Sequence, residues 1–202
     1  AAAPSYQLTD LELACGNLTS LPARYKQQGK WGSYWPNCID PCVFYDEEGQ
    51  LWMAYGSWSG GIWLLRLNNA TGLRDYTYHP ASNYATAGAS VTADPYFGTR
   101  IAGGHYVSGE GSYIQHIGDY YYLFMSYGGY APDGGYDMRI FRSTQPEGPY
   151  TDASGNTATY TEYQLNYGPN ANTNRGMHLM GAYNQWGGVQ NVGECAQGHN
   201  SA

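Results

Sequence analysis

Two acidic residues occupy matching places in an internal repeat, and a pair of acids held at fixed spacing can do chemistry. Asp40 lies at the head of the run IDPCVFYDEEGQLWMAYGSWSGGIWLLRLN, and Glu110 at the head of GEGSYIQHIGDYYYLFMSYGGYAPDGGYDMRIFRST. Each unit gives an acid, a short β-rich run, a turn with Gly, an aromatic strand ending in Tyr-Gly, and a third strand. Tyr55-Gly56 answers Tyr127-Gly128, and IWLLRL answers MRIFRS. The period is about seventy residues, somewhat longer than most propeller and solenoid repeats. Repeated β units set around an axis bring equivalent positions together, so the two carboxyl groups are expected to converge. Two carboxyl groups facing a cleft are what hydrolysis of a glycosidic bond requires: one protonates the leaving oxygen while another activates water.

The elements that must position these acids are strands. Alternating and aromatic-rich runs predict strands at 39–46, 50–57 and 61–68, with turns at Glu48-Gly49 and Ser59-Gly60-Gly61. A second set is predicted at 110–117, 119–127 and 137–143, followed by a Pro-Gly turn and a short outer strand from Tyr150 to Gly155. A third repeat is only partly visible between 160 and 190, and GHNSA at 198–202 looks like the entrance to another inner strand. This counts about three blades plus the start of another, within one domain spanning 1–202. Residues 1–35 read as an irregular lead-in with a short helical turn, and 36–202 as blades. A closed propeller needs at least four blades, and raw strand edges pair with whatever is available. A missing segment or a second chain is therefore expected to complete the ring.

Composition points the same way. Of 202 residues only 12% are charged, while 22 are Tyr and 28 are Gly. An average chain is about a quarter charged, so this one is poor in the Lys and Glu of surface helices and reads as all-β. The formal charge of −7 disfavours nucleic acid, which demands clustered Lys and Arg. No apolar run approaches the ~20 residues of a membrane span. The four cysteines, Cys15, Cys38, Cys42 and Cys195, fit no zinc spacing. Cys38 and Cys42 in an extended segment would lie ~13 Å apart, too far for a bridge, so buried free thiols are expected. A surface of Tyr, Asn, Ser and Gly suits a secreted or periplasmic protein.

The segments IDPCVFYDEEG, YGSWSGGIWLLRL, DPYFGTRIAGGHYVSGEGSYI, YYYLFMSYGG, MRIFRSTQPEGPYTD and HLMGAYN…GHNSA together resemble glycoside hydrolase family 43, and most closely its endo-α-1,5-L-arabinanase branch. The resemblance runs from about Trp35 to the C-terminus. It implies a five-bladed β-propeller that cleaves arabinan with inversion, using an Asp base, an Asp that tunes the pKa of the acid, and a Glu general acid. Asp40 matches the tuning Asp and Glu110 the general acid. His199, in GHNS, matches a histidine near the propeller axis that faces a bound calcium ion or its waters. No motif like that of the family's base precedes Asp40, since Asp10 in QLTDLEL has unlike surroundings. Arabinan or an arabinoxylan-type polysaccharide is the implied partner. The alternatives are an exo-acting α-L-arabinofuranosidase or β-xylosidase of the same family, or a carbohydrate-binding propeller that does not catalyse.

On this reading Glu110 must keep its proton near neutral pH, helped by the charge of Asp40 and by desolvation against Tyr113 and Tyr127. Acid and base should stand ~6.5–9.5 Å apart to admit a water. Gly109 and Gly111 flank Glu110 and would let a sugar approach the backbone. Ser57 and Trp58 follow Tyr55-Gly56 at the axis end of the second strand, where an indole face can stack on a sugar ring. Trp52 and Trp63 read as packing between blades, Asp94-Pro95 as a structural turn, and Asp46, Glu47 and Glu48 as a solvated turn cluster.

Overall fold

The structure is a computed structural model that describes residues 5–16, 20–22, 25, 35–80, 92–129, 131, 134–163, 175–181 and 198–200. Among the described residues one helix, α1 (Ser5–Cys15), precedes nine strands: β1 (Cys42–Tyr45), β2 (Leu51–Tyr55), β3 (Ile62–Arg66), β4 (Ala93–Asp94), β5 (Gly98–Ala102), β6 (Glu110–Ile117), β7 (Tyr120–Tyr127), β8 (Asp137–Ser143) and β9 (Met177–Gly181). They form two antiparallel sheets, ordered β1-β2-β3-β5-β4 and β6-β7-β8-β9. Among the described residues no helix is long and apolar enough to cross a membrane.

Six strands fall where the hydrophobic pattern places them, within two or three residues. Other features differ from expectation. The lead-in holds an 11-residue helix rather than a single turn, with Leu11 and Ala14 buried. The segment after Asp94 contributes β5, whose short GTRIA run opens on a Gly and carries little pattern of its own. Within 160–190, where a third repeat is partly visible in the sequence, Met177–Gly181 forms β9, an outer strand of the second sheet; residues 164–174 and 182–190 of that stretch lie outside the described residues. Cys195 and the strand predicted after GHN lie outside the described residues.

Turn chemistry explains the hairpins. In the β1–β2 turn Gly49 takes φ +77°, a conformation open chiefly to Gly. Asp46 is not merely solvated: its carboxylate accepts the Gln50 amide at 2.7 Å and the Trp52 indole N–H at 2.7 Å. Cys42 is buried as expected, whereas Cys38 is exposed, because it lies ahead of β1 outside the sheet.

The two sheets pack face to face through one core. Along β7 Tyr121, Leu123 and Met125 are buried while Tyr120, Tyr122 and Phe124 are half-buried, the period-2 signature of a strand with one covered face, and the strand ends with Ser126 and Tyr127 both buried. Tyr121, Leu123, Met125 and Tyr127 meet Trp52, Ala54, Ile62 and Leu64 of the first sheet. Trp63 and Tyr55 point to the opposite face, into a smaller cluster with Met53, Leu65 and Phe97. Asp94 is a structural turn residue, as expected: it is fully buried and accepts from Tyr25 and from the amides of Tyr96 and Phe97.

The segment from Tyr150 to Gly155 is not a strand: Thr151 makes one isolated bridge to Arg142 of β8 and one to Thr157, and one carboxylate organises the segment. Asp152 accepts the amides of Ser154, Asn156 and Gly176, each at 2.9 Å, tying this loop to the approach of β9. Burial alone would raise the Asp152 pKa, but the Asn156 side chain and these amides outweigh it and hold the carboxyl below its ordinary value. Its stabilising effect is therefore complete above the usual Asp pKa and fades as pH falls through the lower folded value. Asp152→Ala should cost about 2–3 kcal/mol at pH 7, because three amides lose their acceptor. Thermal melts should show that deficit narrowing below about pH 4; a deficit that is the same at pH 7 and pH 3 would contradict the role of the charge.

Candidate active site

Glu110 begins β6 at an irregularity. It pairs with Ser126, but the next pair in register is Tyr113 with Phe124, so β6 carries one extra residue. Such a bulge re-aims a side chain away from the ladder. Gly111 supplies the geometry with φ +56°, and a Cβ there would come within 2.8–3.0 Å of the His199 imidazole. Gly111 is thus needed for the approach of a side chain of the protein itself. Gly109 likewise faces protein: it is buried, and a Cβ there would meet Met125 and the Tyr127 ring.

Three donors converge on the Glu110 carboxyl. The Tyr136 hydroxyl donates to Oε1 at 2.7 Å, while the Trp58 indole N–H and the Ser57 hydroxyl donate to Oε2 at 3.1 and 3.3 Å. Ser57 and Trp58 follow β2 in a turn that the Trp58 amide pins to the Gly109 carbonyl at 2.8 Å. Trp58 is half-buried, with its N–H on Glu110. Trp52 and Trp63 are buried in packing roles, as expected. Tyr136 stands just before β8, and sequence reasoning missed it. Its signal was present, since it follows a Gly-Gly pair and precedes a predicted strand, but Tyr is common throughout this chain. Burial and the hydrogen bond to Glu110 push the Tyr136 hydroxyl above tyrosine's ordinary pKa, so it is protonated at neutral pH.

Asp40 reaches the same place from the first sheet. The segment before it runs beside the end of β2, with the Gly56 amide on the Ile39 carbonyl and the Asn37 side chain on the Ser57 carbonyl. Asp40 Oδ2 accepts the amide of Gly111 at 3.1 Å, one residue beyond Glu110. Its Oδ1 lies 3.4 Å from His199 Nε2. The His199 amide donates to Ser126 Oγ at 2.7 Å, and Nδ1 lies 3.3 Å from the Tyr136 hydroxyl. A continuous chain of polar contacts therefore runs Asp40, His199, Tyr136, Glu110. Asp40, Gly111, Tyr113, His199 and Asn200 line a pocket of about 280 Å³. Tyr113 borders this pocket, whereas Tyr127 is fully buried in the core.

The backbone is strained here. Among the described residues, six other than Gly have positive φ, and four of them are Asp40 (54°), Trp58 (48°), Ser59 (45°) and His199 (57°). Such conformations cost of order 1–3 kcal/mol each and gather at functional sites.

A family model for glycosyl hydrolases family 43 matches residues 19–180. The chain belongs to glycosyl hydrolases family 43. It is 47% identical over 122 residues to an extracellular endo-α-(1→5)-L-arabinanase of Thermotoga petrophila, covering 59% of this chain and 22% of that protein. It is 37% identical over 172 residues to an extracellular endo-α-(1→5)-L-arabinanase of Bacillus subtilis, covering 83% of this chain and 33% of that protein. The crystal structure of the Thermotoga petrophila endo-1,5-α-L-arabinanase superposes with TM-score 0.53 and 42% identity over 66% of this chain and 27% of its own. A family 43 glycoside hydrolase structure from Bacillus licheniformis gives TM-score 0.57 and 36% identity over 72% and 30%. The chain thus spans between a fifth and a third of the length of these relatives. Its two sheets are blades of the five-bladed β-propeller of family 43.

The calcium ion implied at His199 finds few ligands. Calcium takes six to eight oxygens, whereas among the described residues no group of three or more His, Cys, Asp or Glu side chains could hold a metal. Both imidazole nitrogens already face protein groups, Nε2 toward Asp40 and Nδ1 toward Tyr136. These residues do not fit a protein-built calcium cage, and the chemistry below uses none.

Proposed function

We propose that this chain is part of a secreted, inverting endo-arabinanase that cleaves α-1,5-linked arabinan, with Glu110 as general acid and Asp40 as the residue that tunes it. The observation that carries this reading is the Glu110 carboxyl on its β-bulge, held by Tyr136, Trp58 and Ser57, with Asp40 on the next amide. The relatives from Thermotoga petrophila and Bacillus subtilis, both named extracellular endo-arabinanases, support the substrate and the location.

In this mechanism Glu110 passes its carboxyl proton to the glycosidic oxygen as the bond from that oxygen to the anomeric carbon breaks. A water adds to the anomeric carbon from the opposite face and gives its proton to a base, so configuration inverts. The base is assigned to none of the described residues. The half-buried Trp58 stacks against a bound sugar, while its N–H keeps the acid oriented. A neutral furanan suits a site whose described groups are hydroxyls, aromatic rings, two carboxyl groups, the His199 imidazole and Asn200.

Purified protein incubated with linear arabinan should release new reducing ends as a ladder of arabino-oligosaccharides, with the first product in the inverted anomeric configuration by proton NMR. Release of arabinose alone would replace endo with exo action. Binding to arabinan without turnover would instead make the protein a carbohydrate-binding propeller.

A further inference from the structure

We propose that Tyr136 is the positioning residue of this site: it holds Oε1 of Glu110 and transmits to it the orientation that Asp40 imposes on His199. This rests on Glu110 being the general acid.

Asp40 does not touch the Glu110 carboxyl through any described hydrogen bond. Its two oxygens go to the Gly111 amide and to His199 Nε2, so its side-chain path to the acid is the imidazole and then Tyr136. Tyr136 Oη stands 3.3 Å from His199 Nδ1 and 2.7 Å from Glu110 Oε1. A hydroxyl can turn: from this one position it donates to a Glu110 carboxylate, and it accepts from a Glu110 carboxylic acid. Oε2 already receives the indole N–H, which cannot reverse, so the proton of the loaded acid belongs on Oε1. When that proton has gone to the leaving oxygen, rotation of one hydroxyl lets Tyr136 donate back to Oε1.

Tyr136 thus serves both states of the acid in one position, which neither Phe nor a fixed donor could do. Local structure holds it there: a Cβ on Gly198 would come within 2.6 Å of the Tyr136 ring, so the loop carrying His199 lies directly against it.

Tyr136→Phe removes one oxygen, and the readout is leaving-group dependence. A polysaccharide leaving group needs protonation, whereas a dinitrophenolate leaves without it. Tyr136→Phe should lose roughly 10–100-fold in kcat on linear arabinan with KM little changed, the size of one charge-assisted hydrogen bond. It should lose under about 3-fold on 2,4-dinitrophenyl α-arabinoside. His199→Ala, at a side chain 53% exposed and so of little consequence for folding, should show a smaller loss of the same selective kind. Equal losses on both substrates, or full activity of either variant on arabinan, would overturn the proposal. Glu110→Gln run beside them separates the two layers. If it keeps activity on arabinan, the acid assignment itself is lost; if it loses arabinan and keeps the aryl substrate while Tyr136→Phe matches wild type, only the role of Tyr136 falls.

Discussion

Glu110→Gln is expected to lose roughly 10²–10⁴-fold in turnover of linear arabinan, the span that a positioned general acid contributes. The substitution is nearly isosteric, and the three groups around it remain satisfied. The amide oxygen accepts from Trp58 and Ser57 in place of Oε2, and the amide N–H₂ donates to the Tyr136 oxygen in place of a carboxyl proton. Sugar affinity should therefore survive, which calorimetric titration with arabino-oligosaccharides would measure against reducing-end release. What is lost is only the proton. Loss of binding together with turnover would mean that Glu110 holds substrate rather than protonating it, and undiminished turnover would remove it from the chemistry.

How far the site could be read from sequence depended on which kind of signal each residue carries. Asp40 and Glu110 stand out because the repeat puts them in register, and the structure places Asp40 on the amide that follows Glu110. Ser57 and Trp58 follow from the same alignment, as the turn after the second strand of the first unit. The repeat does not reveal the joint between them. Tyr136 belongs to the second unit and His199 to a segment some sixty residues later, and they meet at 3.3 Å only because β8 starts beside the loop that carries His199. Gly109 and Gly111 were legible as special positions, but their reason is internal packing against Met125 and His199. An invariant need for a small residue looks the same in sequence whether a ligand or an imidazole fills the space. The bulge at Glu110 is the least legible feature, since it is a mismatch between two strands and neither strand shows it alone.

Fold legibility divides along the same line. Strands that alternate over most of their length, β7 from Tyr120 to Met125 above all, need no tertiary information, because one covered face dictates their pattern. β9 has no such pattern: four of its five residues are exposed, as suits the outer strand of a blade, and its partner is set by register with β8.

Beneath the site, the largest expected stability effect belongs to Arg139. Its side chain is 2% exposed and pairs with Asp137, 3% exposed, at 2.8 Å from Nε to Oδ2. A second nitrogen, Nη2, reaches Oδ1 at 3.3 Å, and Nη1 donates to the Arg175 carbonyl at 3.2 Å. The guanidinium also lies 4.7 Å over the Tyr127 ring. His178 on β9 completes the cluster with Nδ1 2.6 Å from Asp137. Burial, then the charge of Arg139, hold its pKa below the ordinary histidine value, so beside Arg139 it is uncharged at neutral pH. Arg139→Ala leaves the Asp137 carboxylate buried without its charge partner, which costs about 3–5 kcal/mol. For a chain of this size that lowers the melting temperature by roughly 6–20 °C, measurable by calorimetry. The double variant Arg139→Met with Asp137→Asn should recover much of the loss, because it removes both charges together. Asp137 opens β8 immediately after Tyr136, so the single variant should also depress arabinan turnover below its melting temperature, and the double variant should restore it. Recovery of stability without recovery of turnover would mean that the ion pair itself, rather than the anchoring of β8, holds Tyr136 against Glu110.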